Sequence, residues 1–251
     1  MSTESLPRES IWRQISHLSD TLINVLLPPV CAGCNKVGEL FCSECTSKVQ
    51  WVRDPVCLSC GKPSDTAASF CLACYRYPFA VRQIRSATLH IDPVKCALHR
   101  MKYEGYFALA DPLAKLMVQA WPRWQSAIDI VIPIPLHSER KRQRGYNQAE
   151  LLVKEVQQSL NWLSVPEALR RPKRTSPQVG LNLNQRQRNV HRAFAADASI
   201  VAGKRVLLVD DVCTSGSTLD SAARVVLDAG ALSVDAFCLT TVAGSYTISQ
   251  I

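Results

Sequence analysis

No stretch of the chain approaches the roughly 18 consecutive apolar residues that a membrane-spanning helix requires. The nearest is 11–27, where Ile15, Leu18, Leu22, Ile23 and Leu26 recur at helical spacing but Arg13, His17 and Asp20 interrupt them. The Leu-Pro-Pro-Val run before Cys31 lacks the small side chains of a signal-peptide cleavage site, which argues against an export leader. There is no Gly-x-x-x-x-Gly-Lys-Ser/Thr, which argues against a nucleoside triphosphate loop, and no Gly-x-Gly-x-x-Gly, which argues against a dinucleotide fold. The five histidines show no metal-ligand spacing with one another, and neither a long low-complexity run nor a repeat beyond the cysteine pairs is visible. The expectation is a cytoplasmic, soluble protein without a transmembrane segment. Residues 1–27 are expected to form an amphipathic leader helix that docks on the rest of the chain, with a membrane-surface helix as the alternative.

What is present is a core-forming composition and an excess of positive charge. With 251 residues, 47% of them hydrophobic, the chain can bury a proper core as one mid-sized domain with an appended module. Twenty-nine basic residues against 21 acidic ones give a formal net charge of +8. The basic residues cluster at Arg140, Lys141, Arg142 and Arg144, at Arg170, Arg171, Lys173 and Arg174, and at Arg186, Arg188 and Arg192. Such a balance favours polyanions and does not by itself separate a nucleic acid from a pyrophosphate.

Eight of the 11 cysteines form four Cys-x-x-Cys pairs: Cys31/Cys34, Cys42/Cys45, Cys57/Cys60 and Cys71/Cys74. Zinc prefers four tetrahedral thiolates, and two such knuckles supply them, so eight ligands imply two structural zinc ions. A module of residues 28–80 can hold together on that metal, because in so small a fold metal affinity is folding energy. Sequential sites close the shorter loops and are favoured, with a cross-braced pairing as the alternative. A thioredoxin-like dithiol would leave the repetition unexplained. Of the other three, Cys96 and Cys238 are expected in the core. Cys213 is either a small filler behind a loop or a thiol activated by a helix N-terminus.

Residues 81–245 alternate short apolar runs with amphipathic stretches. Strands are expected at 128–134 and 205–209, rich in Val, Ile and Leu as buried parallel strands are, and at 234–242. Helices are expected at 113–120, 148–160 and 217–229, the last stopped by Gly230. Repeated strand-helix units predict an α/β fold, a parallel sheet with helices on both faces.

The chemistry concentrates at 205–218, RVLLVDDVCTSGST. Ligands of an open α/β sheet sit at the carboxyl ends of the strands, where Asp210 and Asp211 are expected to emerge. Thr214, Ser215, Ser217 and Thr218 then surround Gly216 and lead into a helix whose N-terminal amides favour a phosphate. Two carboxylates beside a phosphate cradle would repel it unless they face a ribose diol or a cation. Phosphate, ribose and two acids in one loop describe a 5-phosphoribosyl group. A receiver-type aspartate pair would have no use for four hydroxyls in one turn.

This segment resembles the phosphoribosyl-pyrophosphate (PRPP) signature of type I phosphoribosyltransferases, with Ser215 in place of the usual second threonine. Together with the cysteine module it resembles more narrowly the ComF family, competence-associated proteins with a zinc module before a phosphoribosyltransferase domain. Residues 132–151, IPIPLHSERKRQRGYNQAEL, are similar to that family's strand, basic loop and helix start. As a loop, Arg140, Arg142 and Arg144 would neutralise a pyrophosphate or simply form a solvated basic surface, and Asn147 would cap the next helix. Arg174, Thr175, Gln178, Arg186 and Asn189 look like the family's mobile loop and its anchor, with a surface linker as the alternative. His99, Lys102 and Tyr103 match a family pattern without a firm role.

The resemblance implies a type I phosphoribosyltransferase fold, with Asp210 and Asp211 on the ribose or its magnesium, and Val212, Cys213, Thr214, Ser215, Gly216, Ser217 and Thr218 binding PRPP. Magnesium bridging the pyrophosphate fits the expected chemistry. Two functions stay open: a PRPP-using enzyme with an unknown acceptor, linked to DNA uptake and natural competence, or a module that binds single-stranded DNA within the competence machinery.

Overall fold

A computed structural model of the chain describes residues 28–64, 70–123, 127–172 and 193–243; the leader expected over 1–27 lies outside them. Four strands, β1 (Ile84–Leu89), β2 (Ile130–Pro133), β5 (Arg205–Cys213) and β6 (Ser233–Thr241), form one sheet in the order β1-β6-β5-β2. Every pairing in it is parallel. β5 shows why these runs carry little polar punctuation. Val206 and Leu208 join the core on one face while Leu207 and Val209 join the core on the other, so the strand is buried on both sides. β3 (Leu169–Arg170) and β4 (Ala195–Ala196) make a small antiparallel pair.

The helices divide between the two faces. α3 (Val94–Tyr103), α4 (Ala110–Ala120) and α6 (Gln148–Leu160) bury Leu98, Leu113 and Leu152 against the face of Leu207 and Val209. α7 (Ala198–Val201) and α8 (Ser217–Asp228) cover the opposite face through Val201, Leu219, Ala222 and Val226. The start of α6 is fixed by Asn147, whose Oδ1 accepts from Ala149 N at 3.1 Å while its Nδ2 donates to Ile134 O at 2.9 Å. One side chain thereby caps the helix and ties it to the end of β2.

Three expectations need correction. The strand expected over 205–209 runs on to Cys213, because β6 pairs with it as far as Thr241. Residues 138–144, expected as a basic loop, form α5 (Ser138–Arg144). Its residues are strong helix formers, Glu139 lies in its first turn and Lys141, Arg142 and Arg144 in its last, and Gly145 closes it at φ 83° with its N–H on Lys141 O. Cys96 is half-buried, its Sγ 3.0 Å from Asp92 Oδ1, whereas Cys238 is fully buried as expected.

The cysteine-rich segment is built onto the sheet. Residues 50–52 run antiparallel along the free edge of β1, with Val52 N on Ala87 O (3.0 Å) and Leu89 N on Gln50 O (2.8 Å). Pairing covers an edge strand that would otherwise expose its backbone groups. The module also carries two short helices, α1 (Ser43–Ser47) and α2 (Leu72–Arg76), each following the first cysteine of a knuckle, Cys42 and Cys71.

Candidate functional site

The sulfurs gather as two sets, Cys31, Cys34, Cys42 and Cys45 in one and Cys57, Cys60, Cys71 and Cys74 in the other, each within 4.8 Å of one another. Four thiolates at the Zn–S distance of about 2.3 Å would stand about 3.8 Å apart along a tetrahedral edge. The pairs Cys31–Cys45 (3.6 Å), Cys34–Cys42 (3.6 Å) and Cys60–Cys71 (3.9 Å) sit close to that value. Backbone N–H groups of Gly33 and Cys42 point at Cys31 Sγ, and Cys71 N points at Cys57 Sγ, which favours thiolate over thiol. The chemistry and spacing of both sets fit zinc, and the pairing is sequential.

The two sets are held differently. Cys31, Cys42 and Cys45 belong to the main core beneath α3 and α4. The second set forms a small cluster of its own, Cys57, Cys60 and Cys74, against which Phe79 packs.

The acid pair lies within β5, near its carboxyl end. Alternation sends the two side chains to opposite faces. Asp211 falls on the side covered by α3, where Lys102 Nζ meets its Oδ1 at 2.8 Å; the two side chains are 19% and 12% exposed, Lys102 first. Asp210 is paired in register with Cys238 on the other face. Its Oδ1 accepts from Asp211 N at 2.8 Å, yet burial and the Asp211 charge push its carboxyl up to about 8. His90, just past β1, lies near the same charges. Burial, then Lys102 and Lys95, hold its imidazole below the usual range, and its buried Nδ1 has no hydrogen-bond partner among the described residues.

Val212 and Cys213 complete β5, and Cys213 is buried with its carbonyl accepting from Thr241 Oγ1 at 3.1 Å. The turn proper is Thr214, Ser215 and Gly216, after which Ser217 and Thr218 open α8. Thr214, Ser215 and Ser217 are exposed, and the Ser215 and Ser217 hydroxyls are 2.8 Å apart. Gly216 caps the helix at φ 81°. Having no side-chain oxygen, it leaves the first-turn amides to be matched from outside the helix. A Cβ there would lie 3.0 Å from Phe79 Cζ and 3.2 Å from Ile84 Cδ1, so both conformation and space require glycine.

The three arginines expected on one loop do not share a direction on α5, since residues two apart on a helix differ by about 200°. Arg140 and Arg142 are exposed. Arg144 is half-buried, donates to Gln148 Oε1 and lies 5.3 Å above the Tyr103 ring. Arg174, Thr175, Gln178, Arg186 and Asn189 lie outside the described residues. Sequence reasoning left Lys102 without a role and missed His90. For Lys102 the available signal was a basic residue at the end of a helix; for His90, which only the sheet brings near the acids, there was none.

A double zinc ribbon domain model matches residues 22–75, and a phosphoribosyl transferase domain model matches residues 149–247. The fold and these matches define a phosphoribosyltransferase-type α/β protein carrying a zinc ribbon. The chain is 30% identical over 204 residues to the DNA utilization protein YhgH of Salmonella typhi, covering 79% of this chain and 89% of that one. It is 30% identical over 200 residues to competence protein F of Haemophilus influenzae, covering 76% and 85%, and 30% identical over 220 residues to competence protein ComFC of Bacillus subtilis, covering 81% and 85%. The chain belongs to the ComF family. Among solved structures, a glutamine phosphoribosylpyrophosphate amidotransferase from B. subtilis aligns over 51% of this chain and 25% of its own, at 20% identity and a TM-score of 0.37. Among the described residues no helix is long and apolar enough to cross a membrane.

Proposed function

We propose that the chain binds PRPP, or another 5-phosphorylated ribose, in a role tied to DNA uptake and natural competence. The observation that carries the reading is the sequence of features along one strand end. Asp210 and Asp211 are followed within a few residues by the hydroxyl-rich turn and the glycine-capped start of α8. Thr214, Ser215, Ser217 and Thr218, with the amides of that first turn, hold the 5-phosphate. Asp210 and Asp211 take the ribose hydroxyls. Lys102, paired with Asp211, and Arg144, stacked on Tyr103, face the pyrophosphate, with Arg140 and Arg142 adding positive charge further out. The competence link rests on the names that the relatives carry.

Transfer from PRPP breaks the bond between ribose C1 and the pyrophosphate oxygen through an oxocarbenium-like state, so the protein's task is positioning and charge complementarity. When bound with PRPP, magnesium would neutralise charge on the departing pyrophosphate, and the carboxylates of Asp210 and Asp211 are those that would hold it or the ribose hydroxyls. Calorimetric titration with PRPP tests the binding step. Asp211→Asn should bind PRPP far more weakly than wild type, and unchanged affinity would sink the assignment. Pyrophosphate release, screened against bases and damaged nucleic acids with an Asp210→Asn/Asp211→Asn control, tests turnover.

A second reading is a single-stranded DNA module. It is favoured by the rings of Tyr103 and Tyr106, 69% and 37% exposed, which lie beside Arg144 and Arg100 respectively. Exposed rings among cations suit unpaired bases. A gel shift that weakens with rising salt and is lost in Tyr103→Ala would support it; no shift at low salt would dismiss it.

A further inference from the structure

We infer that Phe79 is a positioning residue that makes the shape of the turn at Gly216 depend on zinc in the second four-cysteine site. The inference rests on the reading of 214–218 as a phosphate-binding turn. The Phe79 ring packs on one side against the cluster of Cys57, Cys60 and Cys74, and on the other against the core beneath α8. Its Cζ stands 3.0 Å from where a Cβ of residue 216 would lie, so the ring is a wall against which the turn rests. The next residue continues the connection. Ala80 N donates to Asp220 Oδ1 at 2.6 Å, Asp220 N donates to Gly216 O at 2.9 Å, and Arg224 Nε holds the other carboxylate oxygen at 3.0 Å.

A second path runs from the same knuckle. Ile84 N donates to the carbonyl of Ser59, which lies between Cys57 and Cys60, at 2.7 Å. Both terminal nitrogens of Arg85 donate to Leu58 O at 3.1 Å. Gly61 approaches so closely that a Cβ there would fall 2.2 Å from Ile84 O. Ile84 itself bounds the turn on the side next to Phe79, 3.2 Å from the same virtual Cβ. The first four-cysteine site has a different neighbour: at Gly33 an added Cβ would meet Cys45 Sγ and Pro93, at 2.7 Å each, on the α3 side of the sheet.

The coupling is therefore specific to one zinc. Among the described residues the cluster around the second site has little apolar substance besides its sulfurs and Phe79, so its shape is set by the metal. Releasing that metal frees the ring, and with the ring the backbone at 214–217 loses its wall. The amides that hold a phosphate would then no longer be preorganised.

Hydrogen exchange on the full, zinc-loaded chain tests this, with metal analysis alongside and a calorimetric titration with ribose 5-phosphate. Phe79→Ala is expected to keep two zinc ions while exchange in a peptide spanning 213–220 rises by about fivefold and peptides from β2 and α6 stay unchanged. Ribose 5-phosphate affinity should fall about tenfold, and Phe79→Leu should restore most of both. Cys74→Ser should lose one zinc and reproduce the local rise; Cys34→Ser should lose the other without it. Wild-type exchange in Phe79→Ala, whatever its zinc content, overturns the inference, as does an equal rise in Cys34→Ser. A wild-type chain that fails to bind ribose 5-phosphate would refute the phosphate reading and leave the exchange result to decide the coupling on its own.

Discussion

Lys102 at the end of α3 and Asp211 in β5, 109 positions apart, meet at 2.8 Å where the sheet face turns toward solvent. The pair joins a helix whose family pattern had no firm role to the strand that carries the strongest signature. It also gives one of two adjacent carboxylates a counter-ion, while burial and the charge of Asp211 raise the other.

Lys102→Ala should therefore destabilise the fold by about 1–3 kcal/mol, less than a fully buried pair because both side chains keep some exposure. Urea denaturation of Lys102→Ala, Asp211→Asn and the double variant measures this as a thermodynamic cycle. The double variant should be more stable than the sum of the single losses implies, and strict additivity would show that the contact is not energetically real.

Asp210 makes the fold sensitive to alkali. Its folded carboxyl is raised to about 8 by burial and by Asp211, above the value of about 3.9 for an unfolded aspartate. Between those two values the folded chain binds more protons than the unfolded one. Stability from this group is thus complete below the unfolded value and drains away as pH rises through about 8. Melting temperatures of Asp210→Asn should fall less than those of wild type as pH rises from about 4 to about 8; parallel curves over that window would contradict the raised carboxyl.

Gly216→Ala combines a positive φ with a close approach to Phe79 and Ile84. It should cost about 1–3 kcal/mol in urea denaturation and weaken ribose 5-phosphate in calorimetry more than its stability loss would explain. Wild-type stability would mean that the turn relaxes without strain.

Zinc removal should act in two stages. Among the described residues the second site's cluster holds little besides its own ligands and Phe79, while Cys31, Cys42 and Cys45 are part of the main core. A chelator titration followed by metal analysis and circular dichroism should lose the second ion with modest change, and the first only with cooperative unfolding of the sheet. Loss of both ions without any change in melting would count against structural sites.

The cysteine spacing, the strand-helix alternation and the acid pair before a hydroxyl-rich turn were all legible in the linear chain, because each is a local pattern. Zinc knuckles need ligands at i and i+3, a buried strand needs an apolar run, and a phosphate turn draws its donors from consecutive residues. The helix at 148–160 was readable to the residue because Asn147 caps it and its apolar face repeats every turn. By contrast, α5 was mistaken for a loop: it buries no side chain, so no apolar periodicity announced it, and capping by His137 and Gly145 with good helix propensity forms it.

Sequence by itself determined the inventory: eight thiols in zinc-ribbon spacing, a parallel α/β domain and a hydroxyl-rich turn around a glycine. Tertiary structure alone decided who stands beside whom. It gave Asp211 its cation on α3, separated Arg142 from Arg140 and Arg144, laid residues 50–52 along β1 and set Phe79 between a zinc site and Gly216. Such long-range contacts arise from packing across a sheet, where a neighbour is chosen by shape and charge among residues a hundred positions away, and no local pattern records that choice.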